Sequence, residues 1–229
     1  MGGYAVSERI IVVVPIRSLR HGKTRLSRVL GNEARETLLR GIAVRVVTAA
    51  VDSGLIESVL VVSPDAETLA WAAGLGPAVV AAPQPEHLPG LNGAIAAGRA
   101  WALDRGASAM VSLFADLPLI VPDDVRGLAA RKEPVVLGPD RRGEGTNALL
   151  LRLAEQGSEF AFAFGDGSLA KHLDEARRLG LVATVHDTPG IAFDLDTPAD
   201  WSDFLQVHKM ADGLAADALT PVACAASAG

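Results

Sequence analysis

"RIIVVVPI", residues 9–16, is an apolar run built almost wholly from β-branched side chains. It shows no polar/apolar alternation, so it reads as a strand buried on both faces, as in a parallel sheet covered by helices on each side. Similar runs recur at "SVLVVS" (58–63), "AVVAA" (78–82), "AMVSLFA" (109–115) and "PVVLGP" (134–139). Helix-like segments separate them at 32–54, 65–75, 91–106 and 122–132. The second of these opens with "SPDAE", a helix start with Pro and acids in the first turn. Strands alternating with helices predict an α/β protein with a mostly parallel, doubly wound sheet. Shorter strands are expected at "NALLLR" (147–152) and "LVATV" (181–185), with a helix near 168–179 and a final helix over 198–210.

The composition agrees with that frame and excludes several functions. The chain has 229 residues, 49% of them hydrophobic, and a mean hydropathy of +0.28. That length suits one medium domain, placed at 9–210, with no internal repeat or long linker. The small-residue tail 211–229 has no period and is expected to be disordered. Net charge is −6 and no Lys/Arg cluster is long enough to follow a phosphate backbone, which argues against nucleic-acid binding. "IIVVVPI" (10–16) is far too short to span a bilayer, and no basic segment precedes it as in a signal peptide. Val6 breaks the myristoylation pattern, and the sole cysteine, Cys224, allows no disulfide framework. A cytoplasmic protein with no membrane partner is expected.

Three stretches carry chemistry. "RSLRHGKTRLS" (17–27) follows the first strand; "GKT" is not a P-loop, because Arg17 stands where that motif needs glycine. With Arg28, the loop holds Arg17, Arg20, Lys23 and Arg25 at the carboxyl end of a buried strand, where ligands of open α/β sheets bind. Five cations in an acidic protein point to a polyphosphate. "FADLPLI" (114–120) puts Asp116 just past a strand, and "FDLDTP" (193–198) puts Asp194 and Asp196 on one face of an extended segment. Like charges so placed repel unless a cation sits with them, and an oxygen-rich trio suits Mg²⁺. Finally, "GEGTNALL" (143–150) and "FGDGSLAKH" (164–172) are Gly-rich turns, the second opening a helix whose amides can face an anion. "LNGAI" (91–95) starts another helix, with Asn92 near its amino end. The five histidines lack metal-ligand spacing, and no nucleophile motif supports covalent catalysis.

Taken in order, these segments resemble the CofC/FbiD family of 2-phospho-L-lactate/phosphoenolpyruvate guanylyltransferases of coenzyme F-420 biosynthesis. The matching residues are Arg17 and Lys23 to Leu26; Leu91, Asn92 and Ala94; Asp116 to Pro118; Gly145 to Asn147; Phe164, Gly165, Ser168 and His172; and Asp194 to Asp200. The resemblance spans about residues 9–207. It implies a three-layer α/β/α sandwich of the MobA-like nucleotidyltransferase type. It also implies GMP transfer from GTP to the phosphate of phosphoenolpyruvate, 2-phospho-L-lactate or 3-phosphoglycerate, with release of pyrophosphate. Asp116, Asp194 and Asp196 would hold Mg²⁺, and Lys23 and Asp116 would be catalytic. Arg17, Lys23, Arg25 and Asn92 fall to the nucleotide, and Thr146, Asn147, Gly165, Ser168 and His172 to the acceptor. Arg17 stands where relatives often carry Lys, and Gly93 and Gly167 where some carry larger polar residues. A phosphate acceptor is mostly dianionic near neutral pH, with a second pKa of about 6, so it needs no general base. The competing expectation is a nucleotide-sugar glycosyltransferase that uses Asp-x-Asp for its metal, or a nucleotidyltransferase with another acceptor. The acceptor, the base and the oligomeric state, a homodimer included, are left open by the sequence.

Overall fold

The computed structural model describes residues 8–211. The strand-forming runs build one seven-stranded sheet: β1 (Ile10–Pro15), β2 (Ser58–Ser63), β3 (Val79–Pro83), β4 (Ala109–Leu113), β5 (Val135–Pro139), β6 (Thr146–Arg152) and β7 (Ala183–Val185). Their spatial order is β3-β2-β1-β4-β6-β5-β7, and only β6 runs against its neighbours. The continuous apolar runs follow from this burial. Ile11 to Val14 are fully shielded, and alternate residues feed two different cores.

Val12, Val14, Val59 and Val61 face one core with α1 (Asn32–Asp52), α2 (Ala66–Ala73) and α4 (Pro122–Ala130). Ile11, Val13, Leu60 and Val62 face the other, with α3 (Gly90–Asp104) and α5 (Ser168–Arg178). The three-layer sandwich expected from the sequence is therefore present. Helix α3 lies so close to β1 that a Cβ at Gly98 would stand 2.4 Å from a Val13 methyl. A third apolar cluster joins Leu26 and Leu30 to Phe193, Leu195, Trp201 and Phe204. It seats α7 (Pro198–Ala211) beside a 3-10 turn at Thr24–Arg28.

The connections decide where a site can form. From β1 the chain moves outward through β2 to β3, then returns to place β4 on the other side of β1. The carboxyl ends of β1 and β4 thus flank the crevice where the winding reverses. Because β6 is antiparallel, its amino end, Thr146 and Asn147, reaches that same edge; the Phe114 amide donates to the Asn147 carbonyl at 3.2 Å.

One expectation changes. Residues 193–196 belong to no strand or helix; they follow the short helix α6 (Pro189–Ala192) and lead through a bend at Thr197 into α7. The alternation survives without a ladder, since Phe193 and Leu195 are buried in the third cluster while Asp194 and Asp196 are half-buried. The tail expected to be disordered lies, from residue 212 on, outside the described residues. Among the described residues no helix is long and apolar enough to cross a membrane.

Candidate active site

Lys23 sits between the first strand and the 3-10 turn, with φ 50° and ψ 48°. It is the only non-glycine residue with positive φ among those described. For an L-residue that conformation costs about 1–2 kcal/mol, and such outliers gather where geometry serves a ligand or a reaction. The Leu26 amide donates to the Lys23 carbonyl at 2.9 Å, so the turn holds the residue from behind. The Lys23 ammonium contacts both Asp116 and Asp196.

The two acidic segments are tied together through the backbone: the Leu195 amide donates to the Asp116 carbonyl at 3.1 Å. "FDLDTP" and "FADLP", 78 positions apart between Asp116 and Asp194, thus lie side by side. Burial and the nearby Asp116 carboxylate raise the pKa of Asp194, against a smaller opposing pull from Lys23 and a hydrogen bond from Asn147. One Asp116 oxygen, Oδ1, is buried without a hydrogen-bond partner. Three carboxylates around one ammonium leave a surplus of two negative charges.

A cavity of about 630 Å³ opens beside this cluster. The ends of β1 and β4 line it with Arg17, Gly22, Lys23, Phe114 and Asp116. Arg17 makes no ion pair among the described residues, whereas Arg20 pairs with Glu67 at 3.5 Å. Arg25 is exposed on the 3-10 turn and lies outside the cavity lining.

The residues expected on the acceptor side form a second, drier group, and Asn92, expected at the nucleotide, lies with them and outside the cavity lining. Asn92 clips α3 to the Gly-rich turn: its Nδ2 donates to the Phe164 carbonyl at 3.1 Å, and its Oδ1 accepts from the Phe164 amide at 2.8 Å. Asn147 is buried and donates to the Ile191 and Ala192 carbonyls, fixing the chain just before "FDLDTP". Gly165 and Gly167 have φ of 122° and 64°, a left-handed path open to glycine, and Gly167 stands at the amino end of α5. Thr146, Ser168 and His172 are all buried.

His172 has both ring nitrogens engaged. Nε2 accepts from the Ala163 amide at 3.0 Å, and Nδ1 lies 3.1 Å from Thr146 Oγ1. Burial pushes its pKa down to about 4, helped by Lys171 and opposed by Glu175. The ring is therefore neutral near pH 7. With Nε2 accepting, its one proton sits on Nδ1 and is donated to Thr146. The threonine hydroxyl proton is thereby left free for another acceptor. His172 packs against Phe164 and Phe160 in a core and acts on the site through Thr146 and the 160–164 backbone.

Among the described residues no three carboxylate, imidazole or thiol groups are arranged to hold a metal ion by themselves. The donor set nonetheless suits Mg²⁺, which takes one or two carboxylates and completes its shell with water and substrate phosphates. The unpartnered Asp116 oxygen and the excess negative charge are the features such an ion would satisfy.

Two residues of structural weight here carried no readable signal of that role. Arg141, in the turn between β5 and β6, meets Asp200 and Asp203, 59 and 62 positions away. Asp200, visible only as the end of a motif, caps α7 and accepts from the Asp196 and Thr197 amides.

The mostly parallel sheet, with a charged crevice at its winding reversal, has the α/β fold of the MobA-like nucleotidyltransferases. A nucleotidyl transferase from Methanothermobacter superposes with a TM-score of 0.62 at 19% identity, covering 88% of this chain and 97% of that one. The inositol-1-phosphate CTP transferase from T. maritima superposes at 0.57 and 14% identity, covering 92% and 99%. A candidate nucleotide-diphospho-sugar transferase from Desulfovibrio desulfuricans G20 reaches 0.74 at 17% identity, covering 96% and 97%.

Sequence comparison narrows the class. Residues 10–213 match the family model described as "Guanylyl transferase CofC like". The phosphoenolpyruvate guanylyltransferase of Rubrobacter xylanophilus is 43% identical over 194 residues, which are 83% of this chain and 91% of that protein. That of Sphaerobacter thermophilus is 40% identical over 192 residues, 83% and 89% of the two chains. The chain belongs to the CofC-like guanylyl transferase family.

Proposed function

We propose that the protein is a Mg²⁺-dependent enzyme that transfers GMP from GTP to the phosphate of a small phosphorylated carboxylic acid, releasing pyrophosphate. The observation that carries this reading is the convergence of Lys23, Asp116, Asp194 and Asp196 beside a cavity that also holds Arg17, unpaired among the described residues. Phosphoenolpyruvate is the acceptor favoured by the relatives' names, with 2-phospho-L-lactate and 3-phosphoglycerate as the competing acids. The reading places the protein in the cytoplasm, on the route to coenzyme F-420, acting on small molecules.

Each residue has a task in that chemistry. Arg17 and Lys23 draw the triphosphate to the carboxyl edge of β1, and Lys23 exchanges a carboxylate for a phosphate oxygen as the nucleotide enters. Asp116 and Asp194, with Asp196 beside them, would hold the metal. Bound Mg²⁺ supplies charge neutralisation at the phosphates undergoing displacement. Thr146, oriented by neutral His172, offers its hydroxyl proton to the acid, and the amides at the start of α5 add the positive end of the helix dipole, worth about 0.3–1 kcal/mol. The acceptor phosphate already carries the nucleophilic oxygen, so positioning and electrostatics suffice.

The test is pyrophosphate release from a matrix of four nucleoside triphosphates against the three acids, with and without Mg²⁺. Turnover confined to GTP plus one acid, and lost without Mg²⁺, supports the reading. Release with no acid present, or with a sugar phosphate in preference to all three, refutes it.

A further inference from the structure

We infer that Arg141 is a positioning residue that holds Asp196 in register with Lys23 and Asp116, acting from the turn between β5 and β6. The turn itself is held by hydrogen bonds at both ends. Asp140 accepts from the Arg142 and Glu144 amides at 3.1 and 2.9 Å, and the Glu144 carbonyl accepts from the Leu169 amide at 3.0 Å. From this platform the guanidinium makes three contacts, two of them to α7. One nitrogen donates to Asp200, another to Asp203 at 3.0 Å, and the plane covers the Phe193 ring at 4.2 Å.

These contacts bracket the acidic segment. Phe193 precedes Asp194, and Asp200 completes a capping box with Thr197 at the amino end of α7. The two oxygens of Asp200 divide the work. Oδ2 accepts from the Asp196 amide at 3.0 Å, the Thr197 amide at 2.7 Å and the Thr197 hydroxyl at 2.9 Å. Oδ1 takes Arg141. The carboxylate that fixes the Asp196 main chain is thus itself fixed by Arg141. A planar fork that stacks on an aromatic ring while donating to two carboxylates is a task lysine cannot duplicate.

The same turn leads directly into Thr146 and touches the first turn of α5. Arg141 therefore ties the acceptor-side elements to the carboxylates. Its consequence for catalysis rests on the proposed role of Asp196; its consequence for the backbone does not.

The experiment compares wild type with Arg141→Ala, Arg141→Lys, Asp200→Asn and the Arg141→Ala/Asp200→Asn double variant. Groups that orient metal-binding side chains typically change activity by about 10–100-fold. For Arg141→Ala we expect kcat to fall about tenfold, with KM for GTP and for the acid within about twofold. Amide hydrogen exchange at residues 195–197 should quicken by about tenfold, while β1 and β4 stay protected. The double variant should be no slower than its slower parent, because both changes break one chain of contacts. If Arg141→Ala unfolds under assay conditions, Arg141→Lys carries the same measurements, with a smaller loss expected. Unchanged exchange at 195–197, unchanged kcat, or fully additive losses would overturn the inference. Full activity in Asp196→Asn would instead overturn the proposed chemistry, and the exchange result would stand apart from it.

Discussion

Acid should destabilise this protein through one buried ring. His172 is wholly shielded, and burial lowers its pKa from 6.5 to about 4. As pH falls through 6.5 the unfolded chain takes up a proton on this residue, while the folded chain resists until about 4. Protons therefore pull toward the unfolded state. The stability owed to the neutral ring is complete above 6.5 and is lost progressively down to about 4. At about 1.4 kcal/mol per pH unit, the full effect is about 3 kcal/mol, and about 2 kcal/mol is already expressed at about pH 5. Urea unfolding of wild type and His172→Gln at about pH 7.5 and about pH 5 isolates it, because every other titrating group is common to both proteins. Gln keeps an acceptor for the Ala163 amide but cannot take the proton. Wild type should lose about 2 kcal/mol more than the variant between the two pH values. Parallel losses, within about 0.5 kcal/mol, would show that His172 titrates near its ordinary value and would remove the argument for a proton fixed on Nδ1.

Other expectations follow from single contacts. Asp116→Asn and Asp196→Asn should each lower kcat by about a hundredfold or more while the far-ultraviolet circular dichroism stays unchanged, as for loss of a preorganised charge at the reacting centre. Lys23→Ala should lower kcat and kcat/KM for GTP together, a pattern that steady-state kinetics separates from a pure binding defect. Gly98→Ala should cost about 1–3 kcal/mol in thermal or urea unfolding, since its methyl would overlap Val13; wild-type kcat per folded molecule is expected.

The sheet was legible because its central strands are buried on both faces and read as unbroken apolar runs. That same property hid the direction of β6: "TNALLLR" is buried along almost its whole length, and nothing in such a run says which way it points. The four-residue helix α6 and the 3-10 turn after Lys23 are too short to display a period. Asp194 and Asp196 were readable as a pair because extended backbone alternates whether or not a neighbouring strand bonds to it. Asn92 and His172 were readable as motif members only. Their hydrogen bonds to Phe164, Ala163 and Thr146 depend on packing between α3, α5 and β6, which no local pattern encodes. Arg141 was silent for the same reason: an exposed arginine in a Gly-containing turn looks like solvated surface until α7 is folded beside it.

The charge balance of the site links its two ligands. Lys23 alone cannot neutralise Asp116, Asp194 and Asp196, and the pKa of Asp194 is raised by its burial and, after that, by the Asp116 charge. On the proposed reading, an entering triphosphate takes Lys23 away from its carboxylates and worsens that imbalance unless a divalent cation replaces it. Nucleotide and metal should therefore favour each other's binding, and thermodynamic reciprocity makes the factor the same in both directions. Calorimetric titration of GTP with and without Mg²⁺ measures that factor, about 5–150-fold for ordinary coupling. Because Mg²⁺ also binds free GTP, the comparison needs Lys23→Ala as its reference. With the lysine gone, the carboxylates no longer lose a partner when GTP enters, and the coupling should shrink. Equal coupling in both proteins would mean that Lys23 does not pass between carboxylate and phosphate.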